Sequence, residues 1–236
     1  MTLIVALKTD KAVYLASDSC STTEMANGYN QFKSVKKYVK VNNHVEILFA
    51  GYLELALASL EKVKRNLWEK GLDEESYDAY EIADEIEEVV YPAYRDITHM
   101  LLVKAALMND KEILKKSALP ELIIGGMDKD KKGDFVSPVI YVLEPACFYR
   151  KRKITINGAI CGAQEVTEKA EDSFGNLLFA DTSDSSIDYE ERIYSCFREV
   201  IQKLKQECDE GEDVAVKEPI HIARITKEGY ELLREE

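Results

Sequence analysis

The chain holds 236 residues, 46% hydrophobic and 32% charged, an ordinary balance for a globular protein that can bury a core as one domain, residues 1–236. A formal net charge of −13 argues against nucleic-acid binding, and the short lysine-rich pieces at 33–40 and 149–153 read as solvated strand faces. No apolar run approaches the ~18–20 residues that a bilayer requires, and Lys8, Asp10 and Lys11 interrupt the N-terminus too soon for a secretory signal.

Residues 1–18 form the first readable unit. Two apolar runs flank Thr9-Asp10-Lys11, the pattern of a β-hairpin that opens at Thr2 and closes at Asp18. A small side chain at the second position favours removal of the initiator Met. Thr2 would then carry a free α-amine with a pKa of roughly 7.7–8.0, able to take a proton from its own hydroxyl. A polar loop follows from Ser19 through Gly28, a composition that carries function more often than framework. Strands are expected over Ser34–Val41 and Val45–Phe49, turned by Asn42-Asn43.

Apolar residues at Leu53, Leu57, Leu60, Val63 and Leu67 predict a helix over 52–70, stopped by Gly71. A longer helical region spans about 76–108. Its buried stripe is read as Ile82, Ile86, Val89, Ala93, Ile97, Met100 and Leu101, its wet side as Glu81, Asp84, Glu85, Glu87 and Glu88, and Pro92 should bend or interrupt it. Strands are expected at 121–126 and 138–143. The segment Asp128–Gly133 starts like a calcium loop, but Val139 stands where a bidentate Glu is needed, so it reads as a charged hairpin tip.

Residues 148–156 continue the strand region, and Gly158–Gly162 leads into a helix from about Ala163. A polar connector at 181–186 precedes a helix over 189–208, and strands at 220–226 and 230–233 close the chain. Segregated runs of strands and helices of this kind imply an α+β protein with two stacked, mainly antiparallel sheets covered by helices. Five widely spaced cysteines without a CxxC pair predict reduced thiols in a cytoplasmic setting. Three scattered histidines with no HExxH pattern argue against a zinc site, and the absence of a phosphate loop or a Gly-x-Ser-x-Gly elbow leaves nucleotide hydrolysis and Ser-His-Asp chemistry unsupported.

Thr2, the Ala16-Ser17-Asp18 strand end, Val35-Lys36-Lys37 and Phe49-Ala50-Gly51 opening a helix together resemble the proteasome β-subunit family of N-terminal nucleophile hydrolases. The Gly125-Gly126-Met127-Asp128 hairpin resembles the family too, and the likeness covers nearly the whole chain. It implies a four-layer αββα sandwich and a threonine-type peptidase with no cofactor. By the same resemblance Thr2 is the nucleophile, Lys37 stands beside its hydroxyl, Asp18 holds Lys37, and the Gly51 N–H binds the oxyanion. Thr22, Val35, Phe49 and Leu53 would line a substrate groove, each of them with plain core as its other reading.

The chain departs from the family at a second cluster. Ile160-Cys161-Gly162-Ala163 stands where active subunits carry Gly-Ser-Gly-Ser; Asp213 matches the family Asp, but Val216-Lys217-Glu218 replaces Ser-Gly-Gly. The resemblance further implies a peptide or unfolded-protein substrate, a homo-oligomeric ring, and delivery by a separate ATP-driven unfoldase. Two other readings remain open: an inactive structural or binding subunit, and a specialised amidase or transpeptidase using the same nucleophile.

Overall fold

The computed structural model describes residues 2–24, 30–51, 53–70, 74–109, 119–180, 187–207 and 216–235. The first hairpin forms as its pattern requires, from β1 (Leu3–Lys8) and β2 (Ala12–Asp18). Thr9 Oγ1 closes its turn by accepting the N–H groups of Lys11 (3.3 Å) and Ala12 (3.0 Å).

The expected polar loop after Asp18 is in part a second hairpin. Strands β3 (Cys20–Glu24) and β4 (Asn30–Ser34) pair with one another and join neither larger sheet. The Thr-rich composition that reads as a loop also suits a two-stranded ribbon, since Thr is β-branched. The single strand expected over 34–41 is correspondingly broken. β4 ends at Ser34, residues 35–37 belong to no strand, and β5 is only Tyr38–Lys40.

Strand β6 (Val45–Ala50) follows an Asx turn in which Asn42 Oδ1 accepts the His44 N–H at 2.7 Å. Helix α1 (Leu53–Glu69) and a short 3-10 turn (Glu74–Ser76) lead to helix α2 (Ala79–Met108). Asp78 and Glu81 start α2 with reciprocal bonds, Glu81 N–H to Asp78 Oδ1 (2.8 Å) and Asp78 N–H to Glu81 Oε2 (3.0 Å).

Two expectations for α2 are corrected, and of the bend or break expected at Pro92 the break does not occur. The carbonyl left unbonded by the missing N–H belongs to Glu88, and both residues are exposed, so water can serve it. Ile97 and Met100 are exposed, not buried. Thr98 between them is fully buried and Leu101 packs against the same cluster, so the buried face runs through Ile86, Val90, Tyr94 and Thr98 and these two side chains lie off it. Glu85, expected on the wet side, is buried against α1, where it accepts a bond from Asn66 Nδ2 at 2.9 Å and pairs with Lys70.

Strands β7 (Glu121–Lys129) and β8 (Phe135–Leu143) form a hairpin whose tip is pinned by Asp130 Oδ1, accepting the N–H groups of Lys132 (2.7 Å) and Asp134 (3.1 Å). In place of the strand expected over 148–156, a 3-10 turn (Pro145–Cys147) and left-handed Phe148 and Tyr149 precede a two-residue β9 (Arg152–Lys153). Strand β10 (Gly158–Gly162), helices α3 (Gln164–Leu178) and α4 (Tyr189–Glu207), and strands β11 (Ile220–Thr226) and β12 (Gly229–Glu235) complete the chain.

The result is an α+β protein with two five-stranded antiparallel sheets, ordered β10-β1-β2-β11-β12 and β5-β6-β7-β8-β9. Strand alternation divides the apolar residues into three clusters. Val45, Ile47, Leu122 and Ile124 pack with Ile82, Ile86 and their neighbours on α1 and α2. Leu3, Val5, Ile220 and Ile222 pack with Phe174 on α3 and Phe197 on α4. Ile4, Ala6, Leu15, Leu48, Ile123 and Ile140 form a third cluster drawn from both sheets.

Candidate active site

The site is built where several strands start or stop. Leu3, Val5 and Leu7 face α3 and α4, whereas Ile4 and Ala6 face the cluster shared by both sheets. Continuing that alternation sends the Thr2 side chain toward the other sheet. Thr2 is buried, at 8% exposure. Its carbonyl oxygen accepts the Ala163 N–H at 3.3 Å.

Asp18 ends β2 with no side-chain exposure. Its Oδ1 accepts the Leu3 N–H (2.8 Å) and Lys37 Nζ (2.9 Å), and its Oδ2 accepts the Cys20 N–H (2.9 Å) and Lys37 Nζ (3.0 Å). One oxygen therefore ties the Lys37 ammonium to the backbone of the residue next to Thr2. Burial pushes the Asp18 carboxyl up and the Lys37 ammonium down, and the attraction between them opposes both shifts. Lys37 reaches inward because residues 35–37 leave the sheet, and its carbonyl accepts the Phe49 N–H at 3.0 Å.

That last bond joins Lys37 to the end of β6, where Gly51 follows Ala50. Gly51 has φ +90°, and a Cβ there would stand 2.5 Å from the Leu119 carbonyl oxygen, so glycine is demanded twice over. Ala50 pairs with Glu121 at the start of β7. Glu121 Oε2 in turn accepts the Gly162 N–H at 2.9 Å, and Gly162 pairs with Leu3. The contacts close a ring through Thr2, Asp18, Lys37, the Phe49–Gly51 strand end, Glu121 and Gly162.

Of the remaining sequence-predicted residues, Phe49 joins the ring through its backbone alone, and the others lie outside it or outside what is described. Phe49 is buried in the cluster beside α1 and α2, and Val35 is half-buried with its N–H donated to the Ser19 carbonyl at 2.7 Å. The side chains of Thr22 and Leu53, and Asp213 altogether, lie outside the described residues. Val216 is buried in the apolar cluster beside α3 and α4.

Glu121 was missed in the sequence, although a carboxylate opening the apolar run Leu122-Ile123-Ile124 on an inward-facing phase was a readable signal. Burial, helped by Glu144 and opposed by the Gly162 N–H, pushes its carboxyl up to about 7. Also missed was a buried pair across the two sheets: His221 Nε2 lies 2.9 Å from Glu46 Oε1, with the Tyr38 ring stacked on the imidazole at 3.5 Å.

Rival nucleophiles are disfavoured chemically. Burial raises the thiols of Cys20 and Cys161, with Asp18 and Glu121 respectively adding to the shift, so both favour the unreactive protonated form. His99 is exposed on α2 and His44 stacks on Phe135 at 3.8 Å. Among the described residues no three His, Cys, Asp or Glu side chains converge as a metal site, and no helix is long and apolar enough to cross a membrane.

Scans against protein-family models and curated proteins find no match to this chain.

Proposed function

We propose that the protein is a proteasome-type threonine hydrolase of peptide or amide bonds, with Thr2 as nucleophile once Met1 is removed. The observation that carries this reading is the buried Lys37–Asp18 pair fastened to the Leu3 N–H, beside Thr2. A buried ion pair is a weak device for stability, because desolvation offsets most of the attraction, so its position next to a candidate nucleophile counts for function. The three apolar clusters support the finer fold reading, a four-layer αββα sandwich.

In this reaction the Thr2 hydroxyl oxygen attacks the substrate carbonyl carbon while its proton passes to the α-amine. Lys37 stabilises the developing charge on that oxygen, and Asp18 holds Lys37 in place. The Gly51 N–H donates to the tetrahedral oxyanion, a contact whose loss typically costs ~3–4 kcal/mol of barrier. Collapse expels the substrate amine, which takes the proton from the Thr2 ammonium. Water then attacks the ester, releasing the acid and restoring the hydroxyl. Ring assembly, a cytoplasmic setting and an ATP-driven unfoldase partner belong to the proposal through the family resemblance alone.

One observation favours a non-catalytic subunit instead: Val216 is packed in apolar core where the family places a hydroxyl near the amine. Intact mass separates the two readings. The hydrolase should lack Met1 and gain one covalent adduct from a peptide epoxyketone, and a Thr2→Ala variant should gain none. Met1-free protein that stays unmodified by the epoxyketone would sink the hydrolase reading.

A further inference from the structure

The reaction above leaves one half-buried carboxyl of the ring unused, that of Glu121. Glu121 is in phase with Ile123 and Met127, which belong to the cluster shared by both sheets, so its side chain enters the same gap as that of Thr2, from the opposite sheet. It donates nothing to catalysis directly; what it touches is the Gly162 N–H, at 2.9 Å. Gly162 and Ala163 together grip Thr2. The Ala163 N–H is bonded to the Thr2 carbonyl oxygen, and Gly162, at φ +144°, approaches that oxygen so closely that a Cβ would lie 2.0 Å from it.

A neutral amide side chain would satisfy the Gly162 N–H without the penalty of burying a charge. Among the described residues Glu121 makes no ion pair that would offset that penalty. The groups facing it are Glu144, at the end of β8, Tyr149 in the following turn, and Cys161 on β10. The Arg152 guanidinium nearby is committed to Glu144, at 2.9 Å. A carboxylate in this place therefore calls for a role that uses its charge.

We propose that Glu121 is a positioning residue of the Thr2 site: its carboxylate, through the Gly162 N–H, holds the 162–163 turn against the Thr2 carbonyl and so fixes the backbone that carries the nucleophile. The inference rests on the Thr2 reading for its catalytic consequence but not for its structural one. An ionised acceptor binds an N–H roughly twice as strongly as a neutral one, and the Gly162 N–H favours the charged form against burial, so in openings that leave Glu121 in its place the grip tightens when Glu121 ionises, although global stability falls. With its carboxyl pushed up to about 7, that change falls close to the range where the Thr2 amine also loses its proton. Two deprotonations then precede attack, and the acid limb should be steeper than the amine alone would make it.

The test uses the full chain, shown by mass to have lost Met1, and its Glu121→Gln and Glu121→Asp variants. Two quantities are followed from pH 5 to 9: the rate of epoxyketone adduct formation at Thr2, and hydrogen-exchange protection of the amides at 2–4 and 162–163, normalised to intrinsic exchange. The expected result is protection that falls several-fold between pH 8 and 6 in the parent protein and stays low and flat in Glu121→Gln. In parallel, the parent's log rate should fall more steeply between pH 8 and 6 than the slope of about 1 set by the amine, Glu121→Gln should keep that slope of about 1, and Glu121→Asp should restore part of the extra fall.

Protection in Glu121→Gln that follows the parent's pH course would overturn the proposal, whatever Thr2 does. If protection follows Glu121 but Thr2 never reacts, the hydrolase reading falls and the hold of Glu121 on the Thr2 backbone stands. If Thr2 reacts with an unchanged slope and unchanged protection, the hydrolase stands and the role of Glu121 falls.

Discussion

Lys37 and Asp18 show at the scale of single residues how a site can be assembled against local economy. Each would be better solvated alone, and burial drives both toward neutrality. Four N–H···O contacts on one carboxylate make the arrangement tolerable. Removing one partner leaves the other charge buried and uncompensated, so Lys37→Met should lower unfolding stability by ~3–5 kcal/mol. Adding Asp18→Asn should recover a good part of that loss in denaturant melts, while the double variant forms no Thr2 adduct. A Lys37→Met protein as stable as the parent would mean that the pair is not buried as described. Thr2, Asp18 and Lys37 could be singled out in the sequence because the short pieces that hold them resemble those of proteasome β-subunits. Glu121 and Gly162 could not, since what singles them out is a neighbour from another strand: the Thr2 carbonyl leaves no room for any side chain at position 162.

At the scale of elements, periodicity predicted most strands and helices, and the misses share one cause. Local pattern carries no information about where a neighbouring element lies. Ile97 and Met100 keep helical spacing with Val89 and Ile82, but the buried face of α2 runs beside them through Ile86, Val90, Tyr94 and Thr98, and the far end of α2 exposes Leu107 and Met108. The ribbon of β3 and β4 reads as loop because its residues are polar, and nothing in 20–24 announces a partner at 30–34. The break at residues 35–37 matters more, since a continuous strand could not have turned Lys37 inward while returning Tyr38–Lys40 to the sheet edge beside β6. Pro92 offers a direct check on α2. It is exposed and inside an unbroken helix, so Pro92→Ala restores a backbone bond without losing packing. The variant should be more stable by ~1–3 kcal/mol in chemical denaturation, and a destabilised one would imply that the ring makes a contact of its own.

For the molecule as a whole, the half-buried carboxyl of Glu121 sets a pH dependence of stability with a definite sign. Its value in the folded protein, about 7, lies above the ordinary 4.5. The folded state therefore holds the proton more tightly, and this contribution is fully present below about 4.5 and lost as pH rises through about 7. A glutamine has no proton to lose. Glu121→Gln should melt at the parent's temperature near pH 5 and above it at pH 8, by an amount equivalent to at most ~3 kcal/mol. Equal melting temperatures at both pH values would show that the group ionises as freely in the folded chain as in the unfolded one.

The hydrogen bond between His221 and Glu46 has a mechanical meaning beyond its energy. His221 belongs to the sheet of β1 and β2 and Glu46 to the sheet of β6 and β7, so the bond crosses from one to the other. Greasy surfaces can glide over each other with little resistance, because contact area changes slowly as they slide. A directional bond in a dry interior breaks within an ångström or so of displacement. The pair thus acts as a dowel, keeping Thr2 and Asp18 on one plate in line with Gly51 and Glu121 on the other.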